Sequence, residues 1–261
     1  MKSYKDFAVV LALQAGKIIK DNFIKGVSKE WKKDDTPITV VDRQINTLVI
    51  NFINSAYPDH SILSEEESDL KESDYVWVCD PIDGTVPFAH GFPLSTFTLS
   101  LTYKGEVILG VIYDPYLERL TVAEKGKGAY INNKKIAVSD ASTIRNTVID
   151  VETWNSSLYD LTPLFAPLHH QGSQVTILRS AVYSGMLIGM GMLGGMIFAN
   201  KTAWDAAAVK IVVEEAGGKV TDLFGNDQLY NQEINGFVAS NGILHQELID
   251  LIKLHIKPIS K

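Results

Sequence analysis

The chain almost lacks cysteine: Cys79 stands alone among 261 residues. An internal disulfide framework is therefore excluded, and the usage fits a reducing, cytoplasmic setting. Cys79 ends the apolar run Tyr75-Val76-Trp77-Val78-Cys79, so a buried strand thiol is expected rather than a reactive one. Basic residues are also short, 24 Lys and Arg against 31 Asp and Glu, for a formal charge of -7. A general nucleic-acid binder needs a basic surface to displace counterions from phosphates, and that class is set aside. The same acidity repels a phosphorylated ligand unless divalent cations held by clustered carboxylates reverse the field locally. No Walker loop and no Gly-x-Ser-x-Gly elbow occur, and His169-His170 has no partnering ligand motif. Histidine and serine mechanisms thus lack support.

Long membrane runs are missing too. Residues Ala181 to Ala199 carry no charge over nineteen positions, but five are glycine and four methionine, which is poor spanning material and suits a buried, closely packed helix. Within it, Gly189-Met190-Gly191-Met192-Leu193-Gly194 spells a glycine fingerprint, yet it is expected inside a helix rather than between strand and helix, so dinucleotide binding is not inferred. Lys2 and Lys5 before Phe7 to Leu13 imitate a signal peptide. Asp6 interrupts the basic region, however, and Phe7, Leu11, Ile18 and Ile19 share one helical face, so an amphipathic first helix from about Tyr4 to Lys25 is expected.

What is present is an ordinary globular composition, 46% hydrophobic and 21% charged, with no repeat, low-complexity tract or long linker. A second helix is expected from about Asp42 to Ala56, and strands near Ser61 to Leu63 and Tyr75 to Cys79. An antiparallel meander should follow through Phe97 to Leu101, Val107 to Tyr113 and Leu120 to Ala123, turning at Lys104-Gly105 and Asn132-Asn133. Beyond Asn146 the pattern alternates. Strands are expected at Thr147 to Val151, Val175 to Leu178, Gly195 to Phe198, Lys219 to Asp222 and Gly236 to Ala239. Helices should cover Leu158 to Leu168, the stretch after Ser180, Trp204 to Glu215 and Ile243 to Leu254. This reads as an α+β chain divided near 139–146, into 1–142 with an antiparallel sheet and 143–261 with α/β alternation.

The chemistry concentrates in Asp80-Pro81-Ile82-Asp83-Gly84-Thr85. An apolar strand delivers Asp80, Pro81 fixes φ, and Asp83-Gly84 permits a tight turn, so two carboxylates share one pocket. Hard ions such as Mg²⁺ take oxygen ligands, which makes Asp80 a natural bridge, Asp83 a ligand of one ion and the Ile82 carbonyl a further donor. A helical turn starting at Gly84 would offer its unpaired N–H groups to a phosphate oxygen. An Asp-Gly pair by itself is usually only a turn, and the Ser64-Glu65-Glu66-Glu67 run is usually a solvated acidic one. Asp42, closing Asp34-Asp35-Thr36-Pro37-Ile38-Thr39-Val40-Val41-Asp42, and Asp205 in Trp204-Asp205-Ala206-Ala207 both read as helix N-caps, a role compatible with facing a pocket. Four or five carboxylates in one cleft repel by about 4 kcal/mol per pair at roughly 4 Å and an effective ε near 20, so without cations at least one should take up a proton.

In this order the hexapeptide, Thr39 to Asp42, Glu65-Glu66, Gly126-Lys127-Gly128-Ala129-Tyr130 and Trp204-Asp205 leading into Glu215-Ala216-Gly217-Gly218 resemble the inositol monophosphatase family. Its members are metal-dependent, lithium-sensitive phosphatases that share signatures with fructose-bisphosphatases and nucleotide 3′-phosphatases. The resemblance implies a layered α/β/α/β/α sandwich, commonly dimeric, that hydrolyses a small sugar or polyol phosphate without a membrane or nucleic-acid partner. It implies two or three Mg²⁺ ions, with Mn²⁺ as an alternative. Glu65, Asp80 and the Ile82 carbonyl would hold the first, Asp80, Asp83 and Asp205 the second, and Glu65 would help a third. It further implies Asp42 and Thr85 as the groups that position and activate a water, with Glu66 as a third catalytic residue. Gly84 and Thr85 would grip the phosphate, and Ser180, Ala181 and Asp205 would lie on the substrate side. Ser64 replaces the usual glycine before the glutamates, and Val86-Pro87 stands where a polar pair is common. Phe198, seven residues before Asp205, stands where inositol-preferring members often carry a glutamate that binds ring hydroxyls. Other sugar, histidinol, nucleotide 3′- and fructose bisphosphate substrates therefore stay open, as does a non-enzymatic regulatory role.

Overall fold

A buried stripe of Phe7, Ala8, Leu11, Ala12, Ala15 and Ile19 commits the first helix, α1 (Tyr4–Phe23), to a core on one side only. The computed structural model describes residues 3–23, 29–31, 37–154 and 157–258; Lys2, Lys25 and Asp34-Asp35-Thr36, named above, lie outside them. An antiparallel ribbon of β1 (Lys29–Trp31) and β2 (Pro37–Thr39) leads into α2 (Val40–Ala56). Next come β3 (Ser61–Ser64), β4 (Tyr75–Asp83), the short α3 (Thr85–Ala89), β5 (Thr96–Tyr103), β6 (Glu106–Asp114), β7 (Arg119–Glu124), β8 (Gly128–Ile131) and β9 (Lys134–Lys135). Strands β3 to β9 join in chain order into a seven-stranded sheet, antiparallel except where β3 lies beside β4. Its hairpins turn where expected, with Lys104, Asn132 and Asn133 all at positive φ, the mirror-image turn that matches strand twist.

The second half runs β10 (Val148–Glu152), β11 (Tyr159–Asp160), α4 (Phe165–His170), β12 (Gln174–Thr176), α5 (Ala181–Gly189), β13 (Gly195–Phe198), α6 (Ala207–Glu215), β14 (Lys219–Thr221), β15 (Phe237–Ser240), α7 (His245–His255) and β16 (Lys257–Pro258). Five of these strands form a mixed sheet in the order β12-β10-β13-β15-β14, parallel through the first three, while β11 pairs with β16. Side-chain alternation then stacks the layers. From β4, Trp77 and Cys79 enter a core with α1 and α2, whereas Val76 and Val78 face α5 and α6. From β13, Met196 and Phe198 meet the other side of α5 and α6, and Ile197 faces outward to the core beneath α7. The result is the expected α/β/α/β/α sandwich, with α5 and α6 as its middle layer. Among the described residues no helix is long and apolar enough to cross a membrane.

Several expectations are corrected in detail. Helix α2 starts two residues before Asp42 because Thr39 is its cap. The stretch expected as helix from Leu158 to Leu168 opens instead with β11 and a 3₁₀ turn at Thr162–Leu164. Asp160 there accepts the Thr162 N–H at 2.9 Å, and Pro163 and Pro167 supply no N–H to a helical ladder. The apolar run after Ser180 is helical only to Gly189; Gly191 turns the chain at φ +74° and the rest becomes β13. A 3₁₀ turn, Ala203–Asp205, precedes α6, whose cap position is Ala206 rather than Asp205.

Candidate active site

The end of β4 brings the acids together through an irregularity. In a regular strand Asp80 and Ile82 share a face and Asp83 takes the other. The pairing of β4 with β5 slips between Asp80 and Asp83, however, and Ile82 is driven into the α1/α2 core while both aspartates face the opposite side. Gly84 then takes φ +82°, and a Cβ there would stand 2.7 Å from the Leu94 carbonyl oxygen, so glycine is required. Helix α3 begins one residue later. The Thr85 hydroxyl donates to the Ile82 carbonyl at 3.0 Å.

Asp205 completes the cluster from the 3₁₀ turn before α6, its carboxylate accepting the Thr202 hydroxyl. One oxygen from each of Asp80, Asp83 and Asp205 lies within 4.8 Å of the other two. This is a hard-oxygen donor set of the kind that Mg²⁺ or Mn²⁺ takes. Burial pushes the Asp80 carboxyl well above the usual range, and the charges of Glu65, Asp205, Asp83 and Asp42 push it further. Burial also raises Asp83, to about 6, against the hydrogen bonds of Ser180, Val182 and Tyr183 that favour its charge. The protein therefore confines negative charge that cations would relieve.

Asp42 sits at the third position of α2 and closes a capping box: its Oδ2 accepts the Thr39 N–H at 2.8 Å and hydroxyl at 2.5 Å. Its Oδ1 is buried with no hydrogen-bond partner among the described residues. Burial first, then the charges of Glu65 and Glu66, raises this carboxyl to about 7. Glu65 and Glu66 are half-buried and Glu67 is exposed, on the turn leaving β3. Of the five expected acidic stations the structure groups Asp80, Asp83 and Asp205 by distance, while Glu65 and Asp42 are joined to them through the charge they exert on Asp80.

The sequence model described as the inositol monophosphatase family matches residues 1–257. The chain belongs to that family. A fructose-1,6-bisphosphatase/inositol-1-monophosphatase of Thermotoga maritima is 31% identical over 257 residues, covering 97% of both chains. A histidinol-phosphatase of Chlorobaculum parvum is 34% identical over 254 residues, covering 94% of this chain and 95% of the relative. Among solved structures, a Thermotoga maritima IMPase superposes with a TM-score of 0.87 at 29% identity, covering 95% and 96% of the two chains.

Two departures from the inositol monophosphatase pattern now have a physical account. The Ser64 hydroxyl donates to Asn46 Oδ1 at 2.5 Å, and Asn46 Nδ2 donates to the Glu67 carbonyl at 3.1 Å. Ser64 thereby ties the glutamate turn to α2, one turn beyond Asp42. Phe198 is 2% exposed and packs on Phe237 with ring centroids 5.1 Å apart, so it belongs to the middle-layer core rather than to a pocket wall. Ser180, expected on the substrate side, is buried with its hydroxyl given to Asp83 instead of being turned outward; Ala181 is buried beside it. Sequence reasoning missed Thr39, Thr96 and Thr202 as hydroxyl partners of the acids, and it missed the buried Asp150 and Glu152 of β10. The last two had a signal: acids at alternate positions of an otherwise apolar strand share its inner face.

Proposed function

We propose that the protein is a divalent-metal-dependent phosphomonoesterase acting on a small sugar or polyol phosphate, of the inositol-1-phosphate type, through direct attack of an activated water. The observation that carries this reading is the carboxylate trio Asp80, Asp83 and Asp205, with ligand oxygens within 4.8 Å of one another. Bound cations supply positive charge that acidifies water and neutralises the phosphoryl oxygens. Glu65, Asp80 and the Ile82 carbonyl would hold one cation, Asp80, Asp83 and Asp205 another, and Glu65 would help a third. Asp42, with a carboxyl raised to about 7 and an uncommitted Oδ1, accepts the proton of the attacking water while Thr85 orients it and Glu66 assists. The N–H groups of Gly84 and Thr85 receive a phosphate oxygen. Asp205 and the Ser180-Ala181 backbone border the rest of the substrate.

The reading carries Mg²⁺ as the working cation with Mn²⁺ as substitute, inhibition by Li⁺, a homodimer and a cytoplasmic setting, the last in keeping with the single buried Cys79. A second substrate, histidinol phosphate, is favoured by the 34% identity to the histidinol-phosphatase of Chlorobaculum parvum. Phosphate release from inositol-1-phosphate, histidinol phosphate, fructose 1,6-bisphosphate and a nucleoside 3′-phosphate, with Mg²⁺, EDTA or Li⁺, tests both. Turnover that requires the cation and falls with Li⁺ is expected, and the preferred member names the substrate class. No cation-dependent turnover of any member refutes the enzymatic reading and leaves a regulatory binding role.

A further inference from the structure

Asp83 owes its orientation to a structure that begins on the other sheet. Its Oδ2 accepts the Ser180 hydroxyl, the N–H groups of Val182 at 3.2 Å and Tyr183 at 3.3 Å, and the Thr96 hydroxyl at 3.4 Å. Val182 and Tyr183 are the second and third residues of α5, and the cap residue Ser180 makes no cap bond of its own. A carboxylate from β4 therefore caps α5, where the helix dipole favours negative charge. With Oδ2 saturated, Oδ1 is left for the acid cluster.

The start of α5 is itself held by two carboxyls. On β10, Asp150 and Glu152 replace the apolar residues that would face the middle layer, while Ile149 and Val151 fill the outer core. Asp150 accepts the Leu178 N–H at 3.1 Å and the Ser184 hydroxyl at 2.8 Å. Glu152 Oε1 accepts the N–H groups of Arg179 at 2.6 Å and Ser180 at 3.3 Å. Between them the backbone is strained, with Arg179 at φ +60°, its guanidinium bonded to the Thr153 carbonyl and lying 4.8 Å over the Trp154 ring. Such a turn persists only where its surroundings over-determine it.

We propose that Asp150 and Glu152 are positioning residues for Asp83: they cradle the backbone of residues 178–180, and that cradle sets the donors that fix the Asp83 carboxylate toward its cation. The proposal rests on the reading above that Asp83 faces a cation. Neither acid touches the acid cluster, so both act through the turn and α5. Burial first, and then the charges of Asp150 and Asp83, push the Glu152 carboxyl well above its usual range. A glutamine at 152 keeps a carbonyl oxygen in the place of Oε1, the acceptor of the Arg179 and Ser180 N–H groups. A leucine keeps the volume and removes every bond.

The test is calorimetric titration of Mg²⁺ into the full-length, EDTA-stripped protein without substrate, with folding checked by circular dichroism. Glu152→Leu is expected to bind roughly 10-fold to 100-fold more weakly than wild type, the usual effect of losing support behind a ligand. Glu152→Gln is expected to restore wild-type affinity. Ser180→Ala, which cuts the same path at its last step, weakens binding, and the double variant Glu152→Leu/Ser180→Ala is expected to fall short of the product of the two losses. Wild-type affinity in a folded Glu152→Leu, or strictly multiplicative losses in the double variant, overturns the proposal. If Glu152→Leu does not fold, Glu152→Asp, which withdraws the acceptor by one methylene, takes its place with the same expectation and the same refutation. Absence of Mg²⁺ binding by the wild type itself rejects instead the reading that the acid cluster holds cations.

Discussion

Replacing Asp80 by asparagine separates what the acid cluster does for function from what it does to the fold. Asp80 is 2% exposed, its Oδ1 accepts the Ile82 N–H at 2.9 Å, and asparagine preserves both the volume and that acceptor. What it removes is one of three carboxylates whose oxygens lie within 4.8 Å. At that spacing and an effective ε near 20, each ionised pair repels by about 3 kcal/mol. Proton uptake relieves part of this at low pH. At pH 8, above the values near 7 for Asp42 and near 6 for Asp83, the relief is smallest. In EDTA at pH 8 the Asp80→Asn protein, relieved of at least one such ionised pair, should therefore be more stable than wild type by about 3 kcal/mol, or roughly 6–12 °C in melting midpoint for a chain of this size. With Mg²⁺ at about 100 times its dissociation constant the wild type gains about 2.7 kcal/mol and the variant gains nothing. Thermal unfolding by circular dichroism, with and without Mg²⁺, reads both effects. An Asp80→Asn protein less stable than wild type in EDTA, or one stabilised by Mg²⁺ to the same degree, would refute the view of Asp80 as a strained cation ligand.

The metal-free protein should lose stability as pH rises from about 4 to 7. Asp42 at about 7 and Asp83 at about 6 hold protons in the folded state that the unfolded chain releases near pH 4, so folding binds protons across that window. Urea midpoints in EDTA that rise with pH instead would contradict this. Gly84→Ala forces a side chain to φ +82° and toward the Leu94 carbonyl oxygen. A loss of about 1–3 kcal/mol in urea denaturation, together with a large fall in phosphatase activity, is expected, and an unchanged protein would show that the turn tolerates a Cβ. Phe198→Glu, the substitution that restores the common inositol-binding residue, should destabilise the fold by about 3 kcal/mol or more without improving inositol-1-phosphate turnover. The position is core, and a charge there has no partner. A stable variant with a lower KM for that substrate would overturn this account.

The fold was legible where local pattern and tertiary role coincide. Helix α1 shows one apolar face, the meander strands β5 to β7 alternate or run apolar between turn residues, and the β5–β6 and β8–β9 hairpins carry Lys-Gly and Asn-Asn at positions that need positive φ. It was illegible where two patterns compete. Residues 181–199 are uniformly apolar because α5 and β13 are both buried, and periodicity cannot divide a stretch with no polar face. Between Leu158 and Leu168, Asp160 and two prolines override an apolar spacing that otherwise suits a helix.

At the site, residue type was readable and geometry was not. The acids of the hexapeptide announce themselves, but the register slip that turns Asp80 and Asp83 to one side depends on pairing with β5, residues that carry no trace of it. The same limit explains the different fates of Ser180 and Glu152. Ser180 sits beside the site in sequence logic and reads as a substrate contact, yet its hydroxyl is committed to Asp83. Glu152 lies on β10 in the other sheet, 69 positions beyond Asp83, and reaches it through two backbone N–H groups and a strained arginine that no motif records. What the chain does announce is an anomaly: Val148-Ile149-Asp150-Val151-Glu152 is an apolar strand with two carboxyls on one face, and all but its first residue are fully buried. A buried acid that ligates nothing must be bonded by something. Asking what it holds leads to the turn at 178–180, and from there to the carboxylate that turn supports.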